Sequence, residues 1–399
     1  MGDTWTFHSA GSLIFGRNAV ARLGEVAQRL GARRVLVVTD RHLEAAGLLE
    51  RVVKPLQAAQ ATVEVYNGGV PEPPFSVALD CTEVARAFRP EVIVGLGGGS
   101  NMDIAKLTAT LLAHGGTPAD YVGDDRIPGP VHPLICIPTT SGTGSEVSAA
   151  GTYTDTANHV KVGMLSNFLR PKVAVVDPLL TVSCPRKVTA DTGIDALTHA
   201  IEAHTAVDNE AFPPGERTVY QGRHPLADLF AEKAIRLIGQ YLVRAVRDGS
   251  DLEAREGMAL AATLAGLAFS NAGVALVHAM EYPVGGATHC SHGEGNGLLL
   301  PFVMRFNLPA RPRQFANVAA WLGEDVAGLS AEQAGERAIA AVERLKAQIG
   351  IPSRLRELGV REEQLRGFAE KAHSLKRLLR VNPRACTVED VEAIYRAAY

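Results

Sequence analysis

Residues 92–100 read VIVGLGGGS, an apolar run that passes directly into three successive glycines. An apolar run without polar alternation predicts a strand buried on both faces of a sheet. Residues 102–114 predict a helix directly after the glycines. This order predicts a βα turn that presents backbone N–H groups and a helix N-terminus to a pyrophosphate. The spacing is not the usual GxGxxG fingerprint, so a tight turn without a ligand is the alternative.

Further strands and helices alternate around this unit. Apolar or β-branched runs predict strands at 35–39, 62–66, 134–137 and 173–176, and amphipathic stretches predict helices at 19–30 and 76–88. Such alternation is typical of βαβ units with a mainly parallel sheet. We therefore expect an α/β nucleotide-binding domain over residues 1–182.

The pattern changes after the last predicted strand. Long helical segments are predicted at 191–205, 225–248, 252–270, 331–349, 362–379 and 388–398. They predict an all-helical domain over residues 183–399, with the boundary near residues 178–185, where two prolines interrupt the chain. Residues 257–277 carry no charge, but their Ala, Gly, Ser and Thr content favours a buried helix over a membrane span.

The composition is that of an ordinary globular protein. Among 399 residues there are 40 Lys and Arg against 43 Asp and Glu, a formal net charge of −3. This balance argues against a nucleic-acid or membrane partner. The five scattered cysteines form no CxxC pair, which argues against a disulfide framework. With no basic and apolar leader at the N-terminus, we expect a cytoplasmic protein.

A second loop adds to the evidence for nucleotide binding. Residues 138–146 read PTTSGTGSE, which places five hydroxyls after another predicted strand. Hydroxyl-rich loops at strand ends suit phosphate and ribose. Asp40 ends the strand at 35–39, where a carboxylate can bind a ribose 2′-hydroxyl and repel a 2′-phosphate. A helix-capping role is the equal alternative for Asp40.

Four residues in the second half have the chemistry of a metal site. Asp195 and His199 are four apart on a predicted helix and therefore share a face, and His278 and His292 follow later in the chain. Pro283 and two glycines between these histidines predict a break in the helix that carries His278. A carboxylate with imidazoles suits iron(II) or zinc. On spacing alone, His204 rivals His199 and His289 rivals His292.

Together these segments resemble the iron-containing (group III) alcohol dehydrogenases. The resemblance rests on five motifs in order: GGGSNMDIAK (97–106), PTTSGTGSE (138–146), TGIDALTHAIE (192–202), HAMEYPVGG (278–286) and HGEGNGLLLPFVMRFN (292–307). It implies the dehydroquinate synthase-like architecture, a nucleotide-binding α/β domain and a helical metal-binding domain with catalysis between them. It also implies metal-dependent hydride transfer between a small alcohol, aldehyde or hydroxy acid and a nicotinamide cofactor.

The family's functional positions fall on identifiable residues of this chain. The resemblance implies a metal held by Asp195, His199, His278 and His292, with Fe²⁺ expected and Zn²⁺ as the alternative. It implies NAD, with NADP as the alternative, bound by the following residues: Asp40, Gly97, Gly98, Gly99, Ser100, Thr139, Thr140, Thr143, Ser148, Lys161 and Leu180. We also expect a homo-oligomer, a dimer or larger.

Two departures from the family pattern bear on chemistry and substrate. Tyr282 stands where many members have a second histidine near the nicotinamide, and it is the candidate for proton transfer. Residues 71–73 read PEP where a PNP is familiar, which removes an asparagine contact to the cofactor.

The substrate prediction follows from these departures and three further segments. They are closest to the hydroxyacid-oxoacid transhydrogenase branch, so a 4-hydroxybutyrate-like acid is slightly favoured over a neutral diol. His159 and Arg223 are candidates to bind its carboxylate. A dehydroquinate synthase-like lyase is the less favoured alternative.

Overall fold

The strand at the start of the glycine turn lies inside a six-stranded sheet. A computed structural model describes residues 4–156, 160–213 and 218–399. They divide into two compact units: an α/β unit, His8–Cys184, and a helical unit, Pro185–Tyr399 together with the leading residues up to Phe7. The strands are β1 (Ser12–Phe15), β2 (Arg34–Val38), β3 (Thr62–Tyr66), β4 (Val92–Gly97), β5 (Gly123–Asp124), β6 (Leu134–Pro138), β7 (Ala150–Asp155), β8 (Val160–Leu165) and β9 (Val173–Val176).

The main sheet is parallel throughout, which confirms the predicted fold class. Its order is β1-β9-β6-β4-β2-β3. Val35 pairs with Val92 and Ile93 with Leu134, so the strand that ends in glycine lies near the centre. Parallel strands end at the same edge, and β4, β6 and β2 therefore bring the glycine turn, the hydroxyl-rich loop and Asp40 to one edge.

Both faces of this sheet are covered. Val35 and Val37 face a core that includes residues of the helices before and after β2. Leu36 faces the opposite core with Ile93 and Met102. This alternation explains why the strands are apolar at nearly every position.

The sequence pattern missed several strands. The edge strand β1 pairs with β9 through a short segment, and β5, β8 and β7 form a separate three-stranded sheet. The segments Ala150–Asp155 and Val160–Leu165 contain glycine, lysine and threonine in place of an apolar run. Such strands lack the fully buried pattern on which the sequence prediction depended.

The helices of the α/β unit are α1 (Leu23–Arg29), α2 (Arg41–Ala45), α3 (Leu48–Ala58), α4 (Phe75–Phe88) and α5 (Gly99–His114). Those of the helical unit are α6 (Arg186–Thr205), α7 (Pro225–Arg247), α8 (Leu252–Ala272), α9 (Leu276–Thr288), α10 (His292–Asn307), α11 (Pro312–Trp321), α12 (Ala331–Ile349), α13 (Leu365–Ser374), α14 (Lys376–Leu379) and α15 (Val388–Ala398).

Two features of α8 and α9 differ from the sequence expectation. The apolar stretch 257–277 is not one helix, because α8 ends at Gly273, whose φ is +118°. The predicted break at Pro283 is wrong, since α9 continues through Pro283 and both glycines to Thr288. In the described part of the chain no single helix meets the length and apolarity of a membrane span; α8 and α9 meet them only as a pair bent by 106°.

The N-terminal residues group with the helical unit. Trp5 stacks on His224 at 4.5 Å between ring centroids. Gln221 accepts from the Thr6 backbone N–H at 3.0 Å and donates to its carbonyl at 2.8 Å. These contacts explain why the described residues before His8 lie outside the α/β unit, although the sequence pattern placed them in its domain.

Candidate metal and nucleotide sites

The helical unit brings three of the four predicted ligands into one cluster. One ligand atom each from Asp195, His278 and His292 lies within 4.8 Å of the others. They come from α6, α9 and the first residue of α10. His278 Nε2 is buried, lies 4.0 Å from Asp195 Oδ1 and has no hydrogen-bond partner among the described residues. A buried lone pair beside a carboxylate fits a divalent cation.

His199 lies beside this cluster. Its Nε2 is 3.8 Å from Asp195 Oδ1, as expected for residues one helical turn apart. Its ring stacks between Phe269, at 4.2 Å, and His278, at 4.9 Å. The rival histidines are elsewhere: His204 Nδ1 is 2.9 Å from Asp228, and His289 is exposed at the end of α9.

A buried carboxylate orients His278. His278 Nδ1 donates to Glu202 Oε2 at 2.6 Å. Glu202 also accepts from the backbone N–H groups of Ala275, at 2.8 Å, and Val277, at 2.7 Å. The proton is thereby fixed on Nδ1, which leaves the Nε2 lone pair directed at Asp195.

His292 is oriented in the same way by a different helix. Its Nδ1 donates to Glu281 Oε2 at 2.6 Å. Asn296 Nδ2 lies 3.1 Å from His292 Nε2 and donates to Asp195 Oδ1 at 2.8 Å. In both His278 and His292, Nδ1 therefore bonds to a carboxylate, which is the usual arrangement around metal-binding histidines.

Charge and burial in the cluster favour an ionised Asp195 and a neutral His199. Burial opposes ionisation of Asp195, but the imidazoles of His199, His292 and His278 hold its pKa below the usual range. Burial lowers the pKa of His199 to about 4. Metal ligation requires these protonation states.

The sequence analysis did not predict the residues that orient the ligands, although their spacing from the ligand histidines could have indicated them. Glu202 follows His199 by three residues, Glu281 follows His278 by three, and Asn296 follows His292 by four. Each therefore shares a helix face with a ligand.

Tyr282 lies next to the cluster. It is half-buried on α9, and its ring centroid is 6.2 Å from that of His292. This position is compatible with a role close to a reacting oxygen.

In the α/β unit, the glycine turn presents backbone at the start of α5. Gly97 has φ +148°, Gly98 is the N-cap and the helix begins at Gly99. A Cβ at Gly99 would lie 3.0 Å from Thr143 Cγ2, so the turn packs closely on the hydroxyl-rich loop. Ser100 Oγ accepts from the Glu72 backbone N–H at 3.3 Å. The free N–H groups of a 16-residue helix suit an anion such as pyrophosphate.

The hydroxyl-rich loop runs beside this turn. The Thr139 N–H donates to the Gly97 carbonyl at 3.0 Å. Thr140 Oγ1 and Ser141 Oγ are buried with no hydrogen-bond partner within the described ranges. Buried hydroxyls of this kind fit a polar ligand at the end of the sheet.

Three predicted cofactor contacts are engaged by the protein itself. Ser148 Oγ is 3.2 Å from Lys106 Nζ, a buried ammonium that also donates to the Ala150 carbonyl at 2.6 Å. Lys161 Nζ pairs with Glu72 Oε2 at 2.6 Å. The Leu180 side chain is fully buried in an apolar core, so only its backbone is available to a ligand.

Asp40 caps a helix, as the alternative interpretation predicted. Its Oδ1 accepts from the backbone N–H groups of His42, at 2.8 Å, and Leu43, at 3.0 Å. Its Oδ2 accepts from Asn101 Nδ2 at 2.7 Å. The cap does not exhaust the acceptor positions of a carboxylate, so it is compatible with a ribose contact.

The two candidates for binding a substrate carboxylate have different outcomes. Arg223 is already paired, with Asp208 at 2.6 Å and with Asp228. Its guanidinium is therefore part of an internal ion-pair network, which weakens its candidacy for binding a substrate carboxylate without testing it. His159 lies outside the described residues.

Comparison with known proteins extends over almost the whole chain. Residues 10–178 match the family described as iron-containing alcohol dehydrogenase, and residues 189–399 match its C-terminal region. The NAD-dependent methanol dehydrogenase of Bacillus methanolicus is 40% identical over 385 residues, covering 96% of this chain and 97% of that protein. A crystal structure of 1,3-propanediol oxidoreductase is 38% identical with a TM-score of 0.93, covering 99% of this chain and 100% of that chain.

The transhydrogenase branch is a more distant relative. The mitochondrial hydroxyacid-oxoacid transhydrogenase of Xenopus tropicalis is 31% identical over 419 residues, covering 99% of this chain and 90% of that protein. This lower identity does not favour the transhydrogenase interpretation over the alcohol dehydrogenases. The motifs, the parallel sheet with its helical partner unit and the matches along both units agree, and the chain belongs to the iron-containing alcohol dehydrogenase family.

Proposed function

We propose that this alcohol dehydrogenase transfers a hydride between a small uncharged alcohol and NAD, with Fe²⁺ held by Asp195, His199, His278 and His292. The observation that carries the proposal is the cluster of a buried carboxylate and imidazoles in the helical unit. A metal in this cluster supplies Lewis acidity, which lowers the pKa of an alcohol.

The residues of the chain have separate parts in this chemistry. Glu202 and Glu281 hold the protons of His278 and His292 on Nδ1, so that each Nε2 keeps its lone pair. The phenol of Tyr282, beside His292, is the group proposed to pass the alcohol proton to solvent.

The α/β unit holds the nucleotide in this proposal. The N–H groups at the start of α5 bind the pyrophosphate, and Thr139, Thr140 and Thr143 line the loop beside it. Asp40 accepts from the ribose 2′-hydroxyl and disfavours a 2′-phosphate. Ser148, Lys161 and the Leu180 backbone remain predicted contacts.

A neutral alcohol is now preferred to a hydroxy acid as substrate. Arg223, one of the two candidates for a carboxylate partner, is occupied by Asp208 and Asp228. The relatives at 38–40% identity bear the names of methanol and propanediol enzymes. The lyase alternative gains no support from these matches. Homo-oligomeric assembly and a cytoplasmic location stay predictions.

The test compares 1,4-butanediol with 4-hydroxybutyrate, which differ in one carboxylate, in the presence of NAD. We expect the diol to have a kcat/KM at least about tenfold higher, because Arg223 is already paired with two aspartates and would do little to offset the desolvation of the acid. Chelation should abolish activity and Fe²⁺ should restore it. Full activity in metal-free protein would contradict the metal assignment, and a preference for the acid would contradict the substrate assignment.

A further inference from the structure

Asn101 joins two parts of the proposed nucleotide site that are far apart in sequence. It is the third residue of α5, directly after the glycine turn, and is 3% exposed. Its amide nitrogen donates to Asp40 Oδ2 at 2.7 Å and to the Leu96 carbonyl at 3.1 Å. Both amide protons are used, which fixes the orientation of the side chain.

The side chain of Asn101 occupies a slot between two glycines. A Cβ at Gly69 would lie 2.1 Å from Asn101 Oδ1, and a Cβ at Gly97 would lie 2.3 Å from Asn101 Nδ2. Gly69 is itself held by its N–H bond to the Thr39 carbonyl, one residue before Asp40, at 3.0 Å. The amide therefore has little room to move.

Asp40 is consequently fixed through both of its oxygens. Oδ1 accepts from the first turn of α2 and Oδ2 from Asn101. These three bonds leave one of about four acceptor positions free, enough for one hydroxyl. A carboxylate that cannot rotate away also cannot relieve its repulsion with a 2′-phosphate.

We propose that Asn101 is a positioning residue that sets the preference for NAD over NADP by holding the Asp40 carboxylate in place. The inference rests on the proposed use of a nicotinamide nucleotide. Asn101 acts through Asp40 and does not take part in hydride transfer. Its removal should therefore change cofactor discrimination and leave the chemical step intact.

The experiment measures the dissociation constants of NADH and NADPH by fluorescence titration of the metal-loaded enzyme, with kcat and KM alongside. The cofactor preference is the dissociation constant of NADPH divided by that of NADH. Asn101→Ala should reduce this ratio about tenfold, the effect of one charge-assisted hydrogen bond. The value of kcat should stay within about twofold of the unsubstituted enzyme. A contact to the ribose binds the ground state and the transition state equally, so its loss changes KM and not kcat. Asn101→Ser, which is too short to reach Asp40, should behave alike and replaces Asn101→Ala if that variant does not fold.

A double-mutant cycle assigns the effect to Asp40. In an Asp40→Gly background, Asn101→Ala should change the ratio by less than about twofold, because its partner is gone. The control is Asn67→Ala: Asn67 Nδ2 donates to Glu44 Oε2 at 2.7 Å, an amide–carboxylate pair of the same chemistry on the exposed surface. This control should leave the ratio unchanged.

The outcomes separate the inference from the proposed function. An equal effect of Asn101→Ala in both backgrounds, or no effect in either, overturns the role of Asn101 while leaving NAD use intact. If Asp40→Gly itself does not alter the ratio, both the ribose assignment and the inference are wrong. Absence of NAD-dependent alcohol oxidation, with NADH still bound, overturns only the proposed function.

Discussion

Two carboxylates, one in each unit, are each held by a single asparagine amide. Asn101 donates to Asp40 at 2.7 Å, and Asn296 donates to Asp195 at 2.8 Å. Their remaining neighbours differ, since Asp40 faces backbone N–H groups and Asp195 faces imidazoles. N–H donors arrange a carboxylate to accept a neutral hydroxyl, whereas lone pairs beside it create a place for a cation.

The two regions also differ in how they are built. The metal cluster consists of side chains on α6, α9 and α10, each fixed by another side chain. The proposed nucleotide site consists largely of backbone at strand ends, with short hydroxyls beside it. We therefore expect substitutions in the helical unit to act mainly on metal binding and turnover, and those in the α/β unit on cofactor affinity.

The largest expected effect comes from His278→Ala. Removing one ligand should lower kcat/KM at least about a thousandfold, because several kcal/mol of charge stabilisation are lost. The NADH dissociation constant should change less than about twofold, since the residues proposed to bind the nucleotide lie in the α/β unit and His278 lies in the helical unit. Activity assays, metal analysis and NADH titration of the same sample test this. A parallel loss of NADH binding would contradict the separation between metal binding in the helical unit and cofactor binding in the α/β unit.

Glu202→Gln should weaken metal affinity by up to about a hundredfold, the usual range for a residue that orients a ligand. Oε2 of Glu202 accepts from the Ala275 N–H and Oε1 from the Val277 N–H, so the substitution places an NH₂ group against one of these two donors. The metal-free protein should therefore also unfold at a lower temperature. Competition with a chromogenic chelator and thermal unfolding measure the two effects. Glu253→Gln, on the exposed surface, is the control and should change neither.

Tyr282→Phe should lower kcat by about tenfold to a hundredfold, at or below the low end of a general acid-base contribution. Metal affinity and the NADH dissociation constant should not change, because Tyr282 is not one of the four predicted ligands and its ring centroid lies 6.2 Å from that of His292. Steady-state kinetics of the variant beside the unsubstituted enzyme measure the loss. A loss as large as that of His278→Ala would make the phenol essential.

The smallest effect is expected at Glu72, which stands where the family pattern has asparagine. Its φ of +51° is a left-handed conformation that asparagine adopts more readily than glutamate. Glu72→Asn also releases Lys161 from its ion pair, so the NAD KM should fall about threefold with kcat unchanged. An increase in the NAD KM would show that the Glu72–Lys161 pair supports cofactor binding. Glu91→Gln, another exposed acid at the opposite end of the sheet, is the control.

The sequence predicted the parts of the fold that depend on local pattern. The strand at 173–176 was located to the residue, because burial on both faces leaves an uninterrupted apolar run. The edge strand at 62–66 is only partly buried and contains Glu64, and its β-branched residues were the signal that located it. The sheet of β5, β7 and β8 was missed because its residues are small or polar. The helix α9 was wrongly ended at Pro283, where packing against α10 and α13 outweighs a cost of about 3 kcal/mol for an interior proline.

Among the candidate site residues, the sequence predicted which side chains share a helix face, but it did not predict contacts between residues far apart in the chain. The four-residue spacing of Asp195 and His199 gave their shared face, and the structure places their side chains 3.8 Å apart. The contact between Asp40 and Asn101 joins residues 61 positions apart and follows only from the pairing of β2 with β4. Local periodicity cannot predict such a contact.

Glu202 limits how this enzyme can be altered by mutation or by design. The same carboxylate closes the first turn of α9 and orients His278, so any substitution there changes helix stability and metal choice together. Glu281 instead acts on the metal cluster through His292, at the other end of the cluster.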